Sequence, residues 1–314
     1  MTDKRKGILW ILASALAYSL FTVMAKRLLD EIGPTDVLFW RFVIATPVIW
    51  LVVAVRARTR RGPNPLHVKW HPRFGMGLLF GLLAWFAFVG VDKLPGDLYV
   101  IVIYTYPAMV AVGARLLGRP ATRQLWTALA ITTLGIALTV PEIFDGTRDA
   151  ALFGFVLTVF NATLYAGYIL YSERIVNDTK GHHLAGDSFV AVAWGMVGSL
   201  LVAVIVALAS GGVSAPETGL AVLCMFGLGI ISTVVSQTAF FLGVTKLGPA
   251  PAALVAAREP VMALTWLVLF LDESMLVIQV VGAVLVIVGV VWSQATNLSI
   301  SSRRVAPVET RGKT

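Results

Sequence analysis

An all-α integral membrane protein of ten transmembrane helices, arranged as two inverted five-helix repeats, is the fold class this sequence predicts, and three observations carry it. Runs of about 20 apolar residues, the length that crosses a bilayer as a helix, recur from one end of the chain to the other. Short stretches rich in Gly, Pro and Asp separate them, as at Gly33-Pro34, Pro95-Gly96-Asp97, Pro141 to Asp149 and Gly248-Pro249, and leave no room for an extramembrane domain. Residues of the first half also recur in the second at fixed spacing. Phe88, Gly90, Lys93, Leu94 and Pro107 return as Phe241, Gly243, Lys246, Leu247 and Pro260, an offset of 153, and Tyr18 and Arg27 return as Tyr165 and Arg174, an offset of 147. Five helices per half is an odd number, so the second copy enters the membrane from the opposite side.

Composition excludes the rival classes. The 314 residues are 58% hydrophobic and 13% charged, against roughly a quarter charged in a soluble domain, and the mean hydropathy is +0.83. The net charge of +8 does not point to nucleic acid, because the basic residues lie between apolar runs and in the tails rather than on one face. One cysteine, Cys224, makes neither a disulfide framework nor a thiolate metal site. The four histidines, 67, 71, 182 and 183, fall in predicted loops. No HExxH, glycine-rich phosphate loop or GxSxG occurs, so no enzyme, metal or cofactor is expected.

Taken in order, the first apolar run, Gly7 to about Leu28, follows Lys4, Arg5 and Lys6. It is too long for the apolar region of a signal peptide and is read as an uncleaved first helix. Runs at about 35–55, 74–91, 97–117 and 124–140 complete the first half, residues 1–145. Those at about 150–172, 187–210, 218–243, 250–271 and 276–296 make the second, residues 146–298. The polar tail, 299–314, is expected to be disordered and cytoplasmic. With the amino terminus in the cytoplasm, nineteen Lys and Arg fall on the cytoplasmic side and four (Lys26, Arg27, Lys93 and Arg148) on the other. That bias puts both termini in the cytoplasm of a plasma (inner) membrane protein.

The stretch Leu247 to Glu273 is membrane-length and apolar yet carries Arg258, Glu259 and Pro260 near its middle. Charges beside a helix breaker are retained in hydrocarbon only where they face protein or a water-filled cavity. Two roles fit: Glu259 binding a proton or substrate ammonium and Arg258 a carboxylate, or both charges pinning helix packing. Arg41 is expected to pair with an acid such as Asp36 or Asp97 near a helix end.

Three stretches resemble the drug/metabolite transporter superfamily, specifically its EamA-type ten-helix carriers: LFWRFVIATP after Gly33-Pro34, REPVMALTWLVLFLDES, and QVVGAVLVIVGVVW. The resemblance runs over residues 7–296. The first half departs from the pattern, with Tyr106-Pro107 where Glu-Pro stands and Gly118-Arg119 where the acidic turn stands. The resemblance implies a carrier for small molecules, most members exporting amino acids, metabolites or toxic compounds and some importing sugars or nucleotide derivatives.

Polar side chains within the helices are the candidate substrate-binding residues. Ser14, Tyr18 and Thr22 lie at i, i+4, i+8, and Asn161, Tyr165 and Tyr168 at i, i+4, i+7, so each set forms one stripe. As counterparts in an inverted repeat, the stripes are expected to face one central cavity, with Tyr104, Gln237, Arg258 and Glu259 as further lining and Trp85 as an aromatic wall. Interhelical hydrogen bonding is the competing role for the small polar residues. Trp10, Trp40, Trp50, Trp70, Trp126 and Trp292 are expected at the membrane interfaces. Gly77 and Gly81 are expected to allow close helix packing. The functional reading is a secondary active transporter that exports small metabolites such as amino acids by alternating access, with the lipid bilayer and a small-molecule substrate as partners. A proton is the candidate coupling ion. A passive channel or uniporter, and an importer of a sugar- or nucleotide-type metabolite, are the alternatives.

Overall fold

The computed structural model describes residues 3–59, 62–118, 123–139, 149–178, 187–247, 252, 255–256, 258–271, 276–278, 280–289 and 291–292. Their regular structure is helical throughout. The expected tail, 299–314, and the boundary between halves near residue 145 lie outside them. The helices are α1 Asp3–Ser19, α2 Phe21–Leu29, α3 Pro34–Arg58, α4 His71–Lys93, α5 Gly96–Ile103, α6 Tyr106–Leu116, α7 Arg123–Thr139, α8 Asp149–Asp178, α9 Ser188–Ala209 and α10 Gly219–Gly229. A π-helical turn, Ile230–Val235, leads into α11 Ser236–Leu247, and α12 Glu259–Leu271 and α13 Val280–Gly289 follow.

Among the described residues six segments are long and apolar enough to cross a bilayer: Asp3–Leu29, Pro34–Arg58, His71–Lys93, Leu152–Leu170, Ser188–Ala209 and Gly219–Leu247. Their outward faces are apolar too. Leu51, Leu208 and Leu223 are 66%, 77% and 68% exposed, which suits side chains that meet lipid rather than water. Helix starts follow local chemistry. Pro34 opens α3 while the Asp36 carboxylate accepts from the Gly33 N–H (3.3 Å). The Asp187 carboxylate accepts from the Phe189 N–H (2.9 Å) and caps α9.

Close packing between the long helices depends on small residues. A Cβ on Gly77 would lie 2.0 Å from the Gly195 carbonyl oxygen, and one on Gly81 2.9 Å from the Ser199 Cα. So α4 and α9 touch backbone to backbone, and the Ser199 hydroxyl donates to the Gly77 carbonyl (2.8 Å). Two further approaches occur twice. A Cβ on Gly7 would meet Leu247 Cγ at 2.7 Å and Lys246 Cβ at 3.1 Å, and one on Gly154 would meet Lys93 Cβ at 2.9 Å and Leu94 Cγ at 3.1 Å. Likewise a Cβ on Gly243 would meet Ile11 Cδ1 at 2.5 Å, and one on Gly90 would meet Thr158 Oγ1 at 2.8 Å. These partners stand at the 147 and 153 spacings seen in the sequence. The packing of α1 on α11 thus reuses the contacts of α8 on α4.

Three expected continuous helices are interrupted. A turn at Leu20 divides α1 from α2, Tyr104 and Thr105 divide α5 from α6, and the π turn separates α10 from α11. Pro107 in the first turn of α6 has no N–H to donate, which accounts for the second break. Trp50 and Trp70 also differ from simple interfacial anchors. Both pack on Trp194, each with ring centroids 5.2 Å away, and the Trp194 indole N–H donates to the Pro65 carbonyl (3.1 Å). Beside them the Arg56 guanidinium pairs with Asp187 (2.6 Å) and lies 4.0 Å from the Phe189 ring centroid. Together these contacts tie the segment after α3 to the start of α9.

Between α2 and α3, the Glu31 carboxylate accepts from the Glu217 and Thr218 N–H groups (3.0 and 3.2 Å) and from the Thr218 hydroxyl. These bonds stabilise the ionised form and hold its carboxyl below the usual carboxylate range.

Two predictions follow from this packing. Gly77→Val should lower the apparent Tm of the detergent-solubilised protein, with a cost of about 1–3 kcal/mol or more for overpacking. Gly75→Ala, where a Cβ meets nothing within 4 Å, should be neutral or slightly stabilising. For Glu31, a folded-state value below the unfolded one, ~4.3, means its contribution is complete above that pH and is lost as pH falls through the folded value. Glu31→Gln should therefore flatten the acid limb of a Tm-against-pH curve below about pH 5.

Candidate functional site

The interrupted helices meet around one cluster. Glu259 opens α12 and accepts a hydrogen bond from the Tyr104 hydroxyl at the end of α5. Tyr106 opens α6 at the position equivalent to Glu259 in the other half, and each is followed by proline. From Tyr104 the rings continue to Tyr106 (centroids 6.3 Å apart), Tyr165 (4.7 Å), Tyr168 (6.0 Å) and Phe80 (6.2 Å). Phe80 and Phe21 lie 5.6 and 5.1 Å from the Arg41 guanidinium, and Tyr18 stacks on Phe21 at 5.5 Å. The run of rings thus leads from a carboxyl at one end to a cation at the other. Tyr18, Tyr104, Tyr106, Tyr165, Tyr168 and Glu259 are all half-buried, and Tyr18 and Tyr104 pack against the hydrophobic core.

Arg41 is the most buried charge at the site, 1% exposed. Phenyl rings of Phe21, Phe42, Phe80 and Phe88 surround its guanidinium at 5.1, 5.4, 5.6 and 5.6 Å. Each such contact contributes about 0.5–2 kcal/mol. Burying an ion costs several kcal/mol, so the rings offset the burial without neutralising the charge. The Nε–H donates to the Thr233 hydroxyl (2.8 Å), which itself donates to the Leu228 carbonyl (2.7 Å) inside the π turn. The wider π turn shifts the helix register enough to aim Thr233 at Arg41, a use common at functional sites. Arg41 Nη2 has no hydrogen-bond partner. Its observed partner is thus Thr233, and not Asp36 or Asp97 as the sequence suggested.

The sequence-predicted residues divide. Tyr104, Tyr165, Tyr168 and Glu259 come together in the aromatic run, and Tyr18 stacks on Phe21 beside Arg41. Ser14 instead lies buried with its hydroxyl 3.4 Å from that of Ser236, joining α1 to α11. Thr22 is 4% exposed and packed away, because the turn at Leu20 breaks the register that would have aligned it with Tyr18. Asn161 is buried, and its side-chain carbonyl has no partner. Gln237 is half-buried on α11. Trp85 packs against Phe86 (5.2 Å), which meets Phe160, 47% exposed (5.4 Å), so its aromatic contacts run outward. Arg258 is exposed in the turn before α12. It therefore does not share a buried mid-helix position with Glu259 as expected, because the described helix begins at Glu259. Arg41, a charge within an apolar run, and Tyr106 stood out in the sequence without being read as substrate-binding residues, and Thr233 did not stand out at all.

Thr233→Val keeps the shape of the side chain and deletes the acceptor for Arg41. Loss of a hydrogen bond to a charged group should cost about 1.5–3 kcal/mol, read as a lower apparent Tm, while Thr233→Ser should retain most of the stability.

Comparison with known proteins agrees with the helical, membrane-embedded architecture. The sequence matches the EamA-like transporter family over residues 5–140 and 152–294. An uncharacterized transporter of Bacillus subtilis, YcbK, is 24% identical over 259 residues, which cover 79% of this chain and 80% of the relative. A second, the uncharacterized transporter sll1319 of Synechocystis sp., is 23% identical over 217 residues, covering 68% of this chain and 63% of that protein. A solved crystal structure superimposes with a TM-score of 0.64 over 93% of this chain and 98% of the other at 17% identity, a likeness of fold. On a family match that spans both halves, the chain belongs to the EamA-like transporter family and is a multi-pass membrane transporter.

Proposed function

We propose that this protein is a secondary active carrier that moves a small metabolite by alternating access, most readily as an exporter in the plasma membrane with both termini cytoplasmic. The observation that carries the reading is the run of half-buried tyrosines that leads from Glu259, by way of Phe80, to Arg41 inside an otherwise apolar bundle. Polar groups deep in the membrane that face an internal space are the usual mark of a transport path. The paired approaches of Gly7 with Gly154 and of Gly243 with Gly90 support two inverted five-helix repeats, the arrangement in which two halves rock about a central site. In this reading Tyr18, Tyr104, Tyr165 and Tyr168 contact the solute and Glu259 carries the coupling proton. Amino acids are among the solutes such a site could take. A passive channel is the second reading; it lacks counterflow in proteoliposomes.

In a Cys224→Ser background, single cysteines at Tyr18 and Tyr165 should both react with a water-soluble maleimide in intact membranes. Labelling at Leu16 and Phe160, which are 47% and 47% exposed, with silence at the tyrosines would move the path elsewhere. Glu259→Gln should fold and exchange solute across a proteoliposome membrane while losing uphill accumulation, because exchange needs the site but no net proton movement. A variant that concentrates solute like the parent would remove Glu259 from the coupling.

A further inference from the structure

We infer that the transported solute carries an anionic group, a carboxylate or phosphate-type oxyanion, and that Arg41 is the residue that holds it. This deepens the carrier reading and rests on it. The guanidinium is 1% exposed, its Nη2 has no partner, and among the described residues no carboxylate forms an ion pair with it. The polar groups it meets are neutral: Thr233 on the π turn, and the tyrosines Tyr18 and Tyr99. Thr233 and Tyr99 are themselves buried, 0% and 4% exposed, whereas Tyr18 is half-buried and stacks on Phe21, one of the rings around the guanidinium. Of the polar neighbours of the cation, Tyr18 is therefore the one with surface left open to a solute.

A phenol is a weaker partner for a guanidinium than an oxyanion, which accepts short charge-assisted bonds and in bidentate form uses the N–H left free. The charge is arranged as an electrostatic demand that the empty protein does not meet. The same cation opposes a solute bearing only positive charge, even though tyrosine faces alone would favour one. Glu259 does not supply the missing anion, since its carboxyl accepts from Tyr104 and forms no ion pair with Arg41. The tyrosine faces between the two ends suit a planar or apolar body attached to the anionic group. Thr233 acts as a positioning residue, holding Nε so that Nη2 stays oriented.

The test uses four aryl probes that differ in their polar end: 3-phenylpropanoate, benzylphosphonate, phenethylamine and 3-phenylpropan-1-ol. Binding to the folded protein raises its apparent Tm. At least one of the two anions should stabilise the purified full-length protein, and which one distinguishes a carboxylate from a phosphate-type solute; the amine and the alcohol should not stabilise it. Arg41→Met should weaken the anion response at least tenfold, with Arg41→Lys recovering part of it. Without ligand, Arg41→Met should melt no lower than the parent, because an uncompensated buried charge has been removed. Tyr18→Glu, which sets a carboxylate against the guanidinium, should raise the ligand-free Tm and abolish the anion response. The assignment is overturned if the amine or alcohol stabilises as well as the anions, if none of the four does, or if Arg41→Met keeps the anion response. It is equally overturned if Arg41→Met fails to fold where Arg41→Lys folds, or if Tyr18→Glu melts lower. Failure of the carrier reading is separate, because unreactive cysteines at Tyr18 and Tyr165 would show it whatever the charge preference.

Discussion

In hydrocarbon a backbone N–H or C=O without a partner costs several kcal/mol, so a spanning segment stays helical unless protein or water receives the freed groups. That constraint explains where this fold is irregular. The turn at Leu20 follows Tyr18, the break at Tyr104 and Thr105 contains the donor to Glu259, and the π turn at Ile230–Val235 supplies Thr233 to Arg41. The Thr233 hydroxyl takes up the Leu228 carbonyl, and the Thr105 hydroxyl donates to the Val102 carbonyl (2.8 Å), so side chains satisfy part of what the breaks release. Irregularity is thus concentrated where polar chemistry is needed.

Electrostatics divides the same region. Arg41 sits in a phenyl cage with one neutral acceptor, and Glu259 stands at the start of α12, where the positive end of the helix dipole favours a carboxylate. Between them a continuous run of aromatic rings carries no other charge. For the carrier proposed above, separated opposite charges joined by aromatic rings would favour a solute oriented end to end.

The bundle that holds these groups is closely packed for a simple reason. Hydrophobicity does not drive helices together in lipid, so close backbone approach and interhelical hydrogen bonds do the work. The α4–α9 contact at Gly77 and Gly81, with Ser199 bonded across it, is of this kind. So are the Ser232 hydroxyl to the Ala17 carbonyl (2.9 Å), the Trp266 indole to the Ser19 hydroxyl (2.9 Å) and Arg27 to the Phe270 carbonyl (2.8 Å). Several converge on α1 and α2, the segment that also brings Tyr18 to the site.

The sequence by itself determined the class of the molecule. Apolar runs of spanning length, glycines at packing spacing and the recurrence of Gly90, Lys93 and Leu94 as Gly243, Lys246 and Leu247 are one-dimensional signals, and helix geometry reads them directly. It also singled out Glu259 and the tyrosines, because a polar side chain in an apolar run is visible without coordinates. Tertiary structure alone decided which of those residues meet. A single turn at Leu20 sent Thr22 into the core and left Tyr18 half-buried, and a π turn, which no propensity reports, turned Thr233 toward Arg41. Helix spacing fixes a residue's angle only while the helix continues, so at the breaks, where the site is built, the angles depend on packing between segments more than two hundred residues apart, as between Ser14 and Ser236.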